Sequence, residues 1–321
     1  MSKSISMTSA DALQAYVRDY KEDLFTRLFY GFKTAQLATV EEGVKGERIL
    51  TNLTVASNLA SKWTSTFTGK TDAVSFVPRT LKTILNKAEF SFVPTEFEQN
   101  YLGWLRKKGQ DPKDFPFEAY ILMKLTQKLT QEMEAAVWQA VIPGSPTATD
   151  PLIQSFDGFL KIITAAVTAL TVTPVATGAL TTANIIQKIR DMWASVDPAY
   201  QENGTAILMN YANYDKYRIA YKDAYHSSPE VSPVADTNYK GIDFELGGGL
   251  TKIIPFAGFG TSNRVIITPL ENLVVGVDDP AGIVNWNVEQ DHWTMDTFGA
   301  FRLGAQYRTI ESGVLVVNDQ A

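Results

Sequence analysis

Near the N terminus, apolar residues recur at three- and four-residue steps, which is the spacing of a helix with one buried face. We predict this helix from about Ser9 to Ala38. The face is broad enough to require a partner surface, either on the same domain or on a neighbouring copy of the chain, and the pattern leaves both open. Its apolar positions are Leu13, Tyr16, Val17, Tyr20, Leu24, Phe25, Leu28, Phe29 and Phe32.

The next segment, from Leu50 to Phe97, changes to a period of two and is rich in β-branched and aromatic residues. Such a pattern predicts extended strands. Apolar and polar residues alternate from Trp63 to Thr68, turn residues occupy Thr68–Asp72, and Val74–Val77 follows. We therefore predict a hairpin. Because a two-stranded hairpin is marginally stable alone in water, it needs another surface to lie on.

A long amphipathic helix is predicted from Phe117 to Val141, and Pro143-Gly144-Ser145-Pro146 would end it. At ~1.5 Å per residue, such a helix can cross a whole domain. The predicted buried stripe consists of Leu122, Leu125, Leu129, Met133, Ala136, Val137 and Ala140. The predicted polar stripe consists of Lys124, Gln127, Lys128, Gln131 and Glu134.

The C-terminal half predicts an α/β unit followed by strands, so the fold class is α+β. Its first elements are a short apolar helix at Gly158–Leu170, a helix at Thr182–Val196 and a buried strand at Thr205–Met209. Asn210 then caps a helix that carries five tyrosines, Tyr211, Tyr214, Tyr217, Tyr221 and Tyr225. The later strands are predicted at Thr251–Ile254, Arg264–Thr268, Leu273–Val277, Ile283–Glu289, Phe301–Tyr307 and Val314–Val317.

Composition narrows the possible functions. The chain has 321 residues, of which 45% are hydrophobic, and this is enough for a sizeable core. Its net charge of −6 argues against a broad basic surface for nucleic acid. The absence of cysteine excludes disulfides and thiol chemistry. No signal peptide is visible, and the longest apolar stretch, Gly158–Val172, is too short to span a bilayer. We therefore expect a soluble chain with no membrane partner.

The candidate reactive motifs are weak. His226 and His292 are the only histidines, so a His-rich metal site is excluded. Gly69-Lys70-Thr71 lacks the upstream glycine of a phosphate-binding loop and leads into a strand, so we interpret it as a turn. The spacing of Asp278-Asp279 fits neither an EF-hand nor a carboxylate dyad. We predict no catalytic residue, no cofactor and no metal. The alternative function, from a different class, is a carboxylate-based enzyme of α+β architecture.

Several local strings, in their order and spacing, resemble the major capsid protein of tailed double-stranded-DNA bacteriophages, which has the Hong Kong ninety-seven capsid fold. Glu132–Trp138 is similar to the end of that family's spine helix, and Phe156-Asp157-Gly158 resembles the stretch that follows it. Gly204–Met209 with Tyr211–Tyr217 resembles the strand and helix of the axial domain. Arg264–Pro269 with Glu271–Val274 resembles the later strands of the same domain. Phe301–Tyr307 and Val314–Val317 resemble the final strands, which rejoin the peripheral domain.

The resemblance implies a division of the chain into five segments. Residues 1–46 would be an N-terminal arm with the amphipathic helix, and residues 47–100 would be the E-loop, a hairpin that reaches across a neighbouring subunit. Residues 101–149 would be the peripheral domain with the spine helix, and residues 150–280 the axial domain. Residues 281–321 would contribute strands that return to the peripheral domain.

The resemblance also implies the function. The chain would assemble with itself into pentamers and hexamers that form an icosahedral head around packaged DNA, without sequence-specific DNA contacts. It would be found in the virion after assembly in the host cytoplasm. A portal protein, and a separate scaffolding or decoration protein, would be its partners. The alternative within the same fold is the shell of an encapsulin-type nanocompartment.

The E-loop and the N-terminal helix supply the candidate subunit contacts. In some members a lysine in the E-loop forms a covalent crosslink; Lys70 lies at the predicted hairpin tip, but no motif identifies its partner, so we do not transfer that activity. In some members a helical scaffolding segment precedes the N-terminal arm; we expect none here, so that scaffolding would come from a separate protein or the shell would assemble without it. The interface candidates are Trp63, Phe67, Lys70, Phe76, Leu24, Phe25 and Phe29.

Overall fold

The computed structural model describes most of the chain, and every structural statement below concerns the described part. The described residues are 31–55, 60, 62–63, 65–66, 74–93, 117–147, 149–234, 237–278, 287–291 and 294–320. The interface candidates Leu24, Phe25, Phe29, Phe67 and Lys70 lie outside these residues.

The helices and strands follow the predicted order. The helices are α1 (Lys33–Leu37), α2 (Phe117–Gln139), α3 (Phe159–Thr168), α4 (Ile185–Trp193), α5 (Pro198–Asn203) and α6 (Tyr211–Tyr225). The strands are β1 (Thr39–Glu41), β2 (Glu47–Val55), β3 (Val74–Lys82), β4 (Ile84–Phe92), β5 (Ala206–Met209), β6 (Val231–Pro233), β7 (Lys240–Asp243), β8 (Lys252–Pro255), β9 (Ile266–Thr268), β10 (Leu273–Val277), β11 (Asn287–Asp291), β12 (Thr294–Tyr307) and β13 (Val316–Val317).

The N-terminal helix differs from its prediction at Phe32. This residue is extended, with φ −92° and ψ 143°, so a helix that runs without interruption to Ala38 is wrong. The Phe32 side chain is buried in the main core. The chain therefore bends at Phe32, and the separate five-residue helix α1 follows. Tertiary burial of an aromatic side chain has overridden the local helical pattern here.

The predicted hairpin is present, but its first strand was misplaced. β2 pairs antiparallel with β3, with Glu47 opposite Lys82 and Val55 opposite Val74. The described residues around Trp63 are not in a strand. The alternation from Trp63 to Thr68 therefore does not mark the paired segment. The strand nearer the N terminus pairs instead because its root can bury an apolar side chain, Leu50, against the body. We refer to β2 and β3 together as the arm.

One sheet of the described residues has five strands, in the order β1, β10, β12 and β11, with β4 paired along β12. The pairing of β1 with β10 is parallel, and the others are antiparallel. The long helix is confirmed as α2 and ends at Gln139, before the predicted Pro-Gly stop. α2 and α3 pack on this sheet; the Phe159 ring of α3 lies 5.0 Å from the Tyr307 ring of β12.

The second sheet, counted over the described ranges, has six strands in the order β13, β9, β5, β8, β7 and β6. All residues of β5 are buried, and α4 and α6 contribute Ile189 and Tyr217 to the same core. The predicted strand-then-helix is confirmed. Asn210 caps α6 as predicted, since its side chain accepts a hydrogen bond from the Asn213 backbone N–H at 2.7 Å.

Two strands have partners that differ from the predicted grouping. β13 pairs with β9 in the six-stranded sheet, although the resemblance grouped it with Phe301–Tyr307. β10 pairs with β12 in the five-stranded sheet, although the resemblance grouped it with β9. An apolar run identifies a buried strand but carries no information about which edge it joins. The limits of the five predicted segments stay a prediction.

Candidate functional site

The arm exposes an apolar face. Residues directly opposite each other in an antiparallel pair point to the same side, so the pairing places Ile49, Val74 and Phe76 on one face. Their exposed fractions are 64%, 50% and 68%. Trp63, between the two strands in sequence, is 85% exposed. Contiguous apolar surface of this kind marks an interaction site more often than a free surface.

The opposite face of the arm is buried at its root. Leu50 and Leu81 lie on this face by the same pairing rule. They form a small buried cluster with Val44 and with Val274 of β10. The arm is therefore attached to its own chain on one face, and the other face is open.

Two glycines let the root approach the five-stranded sheet closely. At Gly276 of β10, a Cβ would lie 2.8 Å from the nearest Leu81 methyl carbon. At Gly304 of β12, a Cβ would overlap the backbone carbonyl oxygen of Lys82. A backbone group cannot move aside as a flexible side chain can. The root of the arm can therefore pack against β12 at this point only if residue 304 is glycine.

Hydrogen bonds fix the same root. The Thr83 hydroxyl donates to the Val44 carbonyl at 2.7 Å and accepts from the Gly46 N–H at 3.1 Å. From the sheet, the Gln306 side-chain amide donates to the Thr80 carbonyl at 2.9 Å. These bonds join the turn before β2, the end of β3 and β12. The root is therefore bonded to the body of the domain through both main-chain and side-chain groups.

Charged groups connect the arm to the edge of the sheet. Glu41 of β1 pairs with Arg48 of β2 at 3.1 Å and with Arg308 at 3.5 Å. Arg79 of β3 donates to the Gln306 side-chain carbonyl at 3.3 Å, and burial lowers the pKa of its guanidinium. The two ion pairs of Glu41 are partly exposed and contribute little stability each, but they connect β2 with β1 and with the residue that follows β12.

A second feature is the joint at which α1 meets α2. The sequence pattern placed Glu134 on the polar stripe of the long helix, and this is wrong, because only 8% of Glu134 is exposed. Its carboxylate accepts hydrogen bonds from the Thr34 backbone N–H at 3.0 Å and from the Thr34 hydroxyl at 2.8 Å. The Trp138 indole N–H donates to the same hydroxyl at 2.7 Å. Burial raises the pKa of Glu134, and these hydrogen bonds oppose the rise.

Lys33 lies beside this joint. Its ammonium donates to the Pro255 carbonyl at 2.6 Å and lies 4.8 Å from the centre of the Phe256 ring. Burial lowers its pKa to about 8, although the negative charge of Glu134 acts in the other direction. α1 is thus held by contacts from two adjacent residues to different parts of the body.

Lys33→Met is expected to remove a pH-dependent part of the stability. Between pH 8 and pH 10.5 the unfolded chain keeps the Lys33 proton and the folded chain releases it. The free energy of unfolding therefore rises with pH in that interval and is lower by the burial cost below pH 8. We expect a rise on the order of 1–2 kcal/mol, reduced from the full value by solvent screening.

Urea unfolding at pH 7 and pH 10 measures this difference in the wild-type chain and in Lys33→Met. Lys161→Met, at an exposed position of α3, is the matched control and should keep the wild-type pH dependence. Equal pH dependence in the wild type and in Lys33→Met would contradict the assignment.

The structure describes two of the interface candidates, Trp63 and Phe76, and both are exposed. Sequence reasoning missed Ile49 and Val74, which share the face of Phe76. The alternation of side chains along the correctly paired strands, which places all three on one face, would have identified them. The interface role of all these residues stays a prediction.

The described residues offer little for other functions. They contain no group of three histidine, aspartate or glutamate side chains that could hold a metal ion. Within the same ranges, no helix combines the length and apolar character needed to cross a membrane.

Neither a protein-family model nor a curated protein sequence matches the chain. Solved structures do match. A chain of the satellite phage P4 procapsid, in a structure that includes the size determination protein, superimposes with a TM-score of 0.57 at 12% identity, over 92% of this chain and 97% of that one. The capsid of Myoviridae phage XM1 gives 0.53 at 13% identity, over 88% and 89%. The capsid of a native GTA particle gives 0.52 at 12% identity, over 88% of each chain. At these identities the likeness shows a shared fold.

Proposed function

Because the chain has the Hong Kong ninety-seven capsid fold, we propose that it is the major capsid protein of a tailed bacteriophage. Copies of the chain assemble into pentamers and hexamers, and these form the icosahedral head that encloses the DNA. The protein is structural and belongs to the virion, and its assembly takes place in the host cytoplasm. A portal protein and a separate scaffolding or decoration protein are its proposed partners.

The exposed apolar face of the arm is the observation that carries this proposal. Ile49, Val74 and Phe76 are open to water in a single copy, although the opposite face of the arm is buried at its root. A shell subunit needs such a surface, because its free energy of assembly comes from apolar area that a neighbour covers. In the proposal, residues 47–100 are the E-loop and the arm is its paired part.

Many moderate contacts make a shell stable. A standard protein interface buries roughly 1,200–2,000 Å² in total, and each subunit of a closed shell forms several such contacts at once. The binding of one contact raises the effective concentration of the next. The N-terminal residues Leu24, Phe25 and Phe29, together with Phe67 and Lys70, are proposed as further contacts in this network.

Purification of the full chain, followed by size-exclusion chromatography and negative-stain electron microscopy, tests the proposal. We expect closed shells, or pentamers and hexamers that convert into shells as the concentration rises. A discrete small oligomer with no tendency to form larger assemblies would contradict a capsid role and favour the alternative of an enzyme.

The contents of the particles distinguish the two kinds of shell. Particles from infected cells that contain double-stranded DNA would support the phage head. Particles that consistently contain one enzyme instead would assign the chain to an encapsulin-type nanocompartment.

A further inference from the structure

Glu134, on α2, accepts hydrogen bonds from both donors of Thr34, the backbone N–H and the hydroxyl. The carboxylate accepts the Thr34 backbone N–H at 3.0 Å and its hydroxyl at 2.8 Å. Trp138, one turn further along α2, donates to the same hydroxyl at 2.7 Å. Its indole is packed among aromatic rings, with the Phe259 ring centre 4.5 Å away and that of Phe159 5.0 Å away. Thr34 is therefore also held by a donor, Trp138, that the core fixes in place.

α1 has no means of fixing its own direction. It is five residues long, and an isolated helix needs about 12–15 residues to be even marginally stable. Phe32, at its N-cap, has no polar side-chain atom with which to cap it. Burial of Phe32 and Ala35 holds α1 against the core, but apolar attraction has no directional preference. β1 follows α1 directly and pairs with β10, which holds the C-terminal end of the helix. The hydrogen bonds to Glu134 act at its N-terminal end.

The space beside the joint would allow another direction. An open cavity of about 270 Å³ adjoins α1 and is bordered by Gly31, Gln131 and Tyr239. The residues around this cavity therefore leave α1 room to pivot towards it. The Glu134 carboxylate and the Lys33 contact with Pro255 oppose such a pivot from two adjacent positions.

Burial makes a carboxylate costly at this position, and it raises the pKa of Glu134. The hydrogen bonds from the two donors of Thr34 offset part of this cost. Glu134→Leu would remove the desolvation cost of the carboxylate, but it would leave the buried donors of Thr34 without this acceptor, which is itself unfavourable. The placement of Glu134 and that of Thr34 therefore depend on each other.

We infer that Glu134 is a positioning residue, which fixes the point and direction at which residues 1–30 join the body, so that they meet a neighbouring copy in one orientation. This inference rests on the proposed shell function. It assigns to one carboxylate the geometry of the N-terminal contact, in addition to the contact made by the arm.

Glu134→Leu and Glu134→Gln test the inference, with Glu132→Gln as the matched control. Glu132 lies on the same helix, is exposed, and pairs with Lys128 at 3.5 Å. In Glu134→Leu we expect amide hydrogen exchange at Thr34 to become at least about tenfold faster, since its N–H loses a buried acceptor. The yield of regular shells per amount of folded protein should fall about tenfold or more, because misdirected segments cannot meet all neighbours at once.

The conservative variants separate direction from stability. Glu134→Gln keeps one acceptor oxygen and should fall between the wild type and Glu134→Leu in both measurements. Glu132→Gln should behave as the wild type. If Glu134→Leu fails to fold, Glu134→Gln and Thr34→Val decide the question, because each removes part of the same contact with little change in volume.

The outcomes distinguish this inference from the proposed function. Wild-type shells together with equally regular Glu134→Leu shells would overturn the positioning role and leave the capsid proposal intact. Failure of the wild-type chain to form shells would overturn both. Slower exchange or unchanged exchange at Thr34 in Glu134→Leu would also overturn the role, whatever the shells look like.

Discussion

Replacement of Phe76 by glutamate is expected to leave the subunit folded and to reduce the yield of shells by about tenfold or more, because the loss at each contact is repeated at every subunit of the shell. Phe76 is 68% exposed in the single copy, so its loss removes little intramolecular packing. Under a neighbouring subunit, a glutamate at this place would be an unpaired charge in an apolar contact. Ile49→Glu, on the same face of the arm, should have the same effect.

Val77→Glu is the matched control for the arm face. Val77 is the next residue along β3, is also exposed, and points to the opposite face. Its substitution should reduce assembly less than that of Phe76, and Phe76→Leu should retain assembly. Shell yield by size-exclusion chromatography and far-UV circular dichroism of the unassembled fraction give the two readouts. Normal shells from Phe76→Glu, or equal losses from both glutamates, would contradict a face-specific contact.

Gly304→Ala is expected to destabilise the subunit by roughly 3 kcal/mol, the upper end of the usual cost of overpacking. The new Cβ would overlap the Lys82 carbonyl oxygen and lie 2.9 Å from the carbonyl carbon. Both atoms belong to the backbone, so the root of the arm or the strand β12 must move. Either movement disturbs the nine-residue pairing between β4 and β12 that begins immediately beside this point.

Gly144→Ala is the control for this second variant. Gly144 is exposed, no atom lies within 4 Å of an added Cβ, and its backbone is outside the left-handed region. Its stability should change by no more than about 0.5 kcal/mol. Urea unfolding of both variants measures the difference. Equal stabilities would show that the arm root tolerates displacement and that Gly304 is not required for its seat.

The parts of the fold that follow from local signals were predictable. α2 and the pair formed by β5 and α6 lie where periodicity, the Pro-Gly stop and the Asn210 cap placed them. The match of element order to a known fold depended on these same signals. Local spacing determines helices and caps because their hydrogen bonds connect residues three or four positions apart.

The parts that depend on distant contacts were not predictable. Trp63 alternates with polar residues as a strand would, yet the pairing uses β2, where Leu50 gains a buried site at the root. Glu134 has the helical position of a solvent-facing residue and is buried because Thr34, one hundred positions earlier, covers it. No window of sequence contains both partners of such a contact.

The candidate site was predicted in outline. Phe76 and the prediction of a hairpin without a local partner indicated the arm. That one face of the arm is buried at its root while the other is exposed follows only from the register of β2 and β3. The close packing of the arm root on Gly276 and Gly304 was missed, because a glycine within a strand does not reveal which atom approaches it.

The closing strands of the chain have a consequence for biosynthesis. β12 pairs with β4, which is translated about two hundred residues earlier, and β13 completes the edge beside β9. Contacts between such distant residues form late, since the intervening chain must exist first. The ribosome must therefore translate residue 307 before the five-stranded sheet is complete and residue 317 before the six-stranded sheet is complete. The surface on which the arm rests is thus among the last to be made. A chain still in translation therefore lacks the strand surface against which the root of the arm packs.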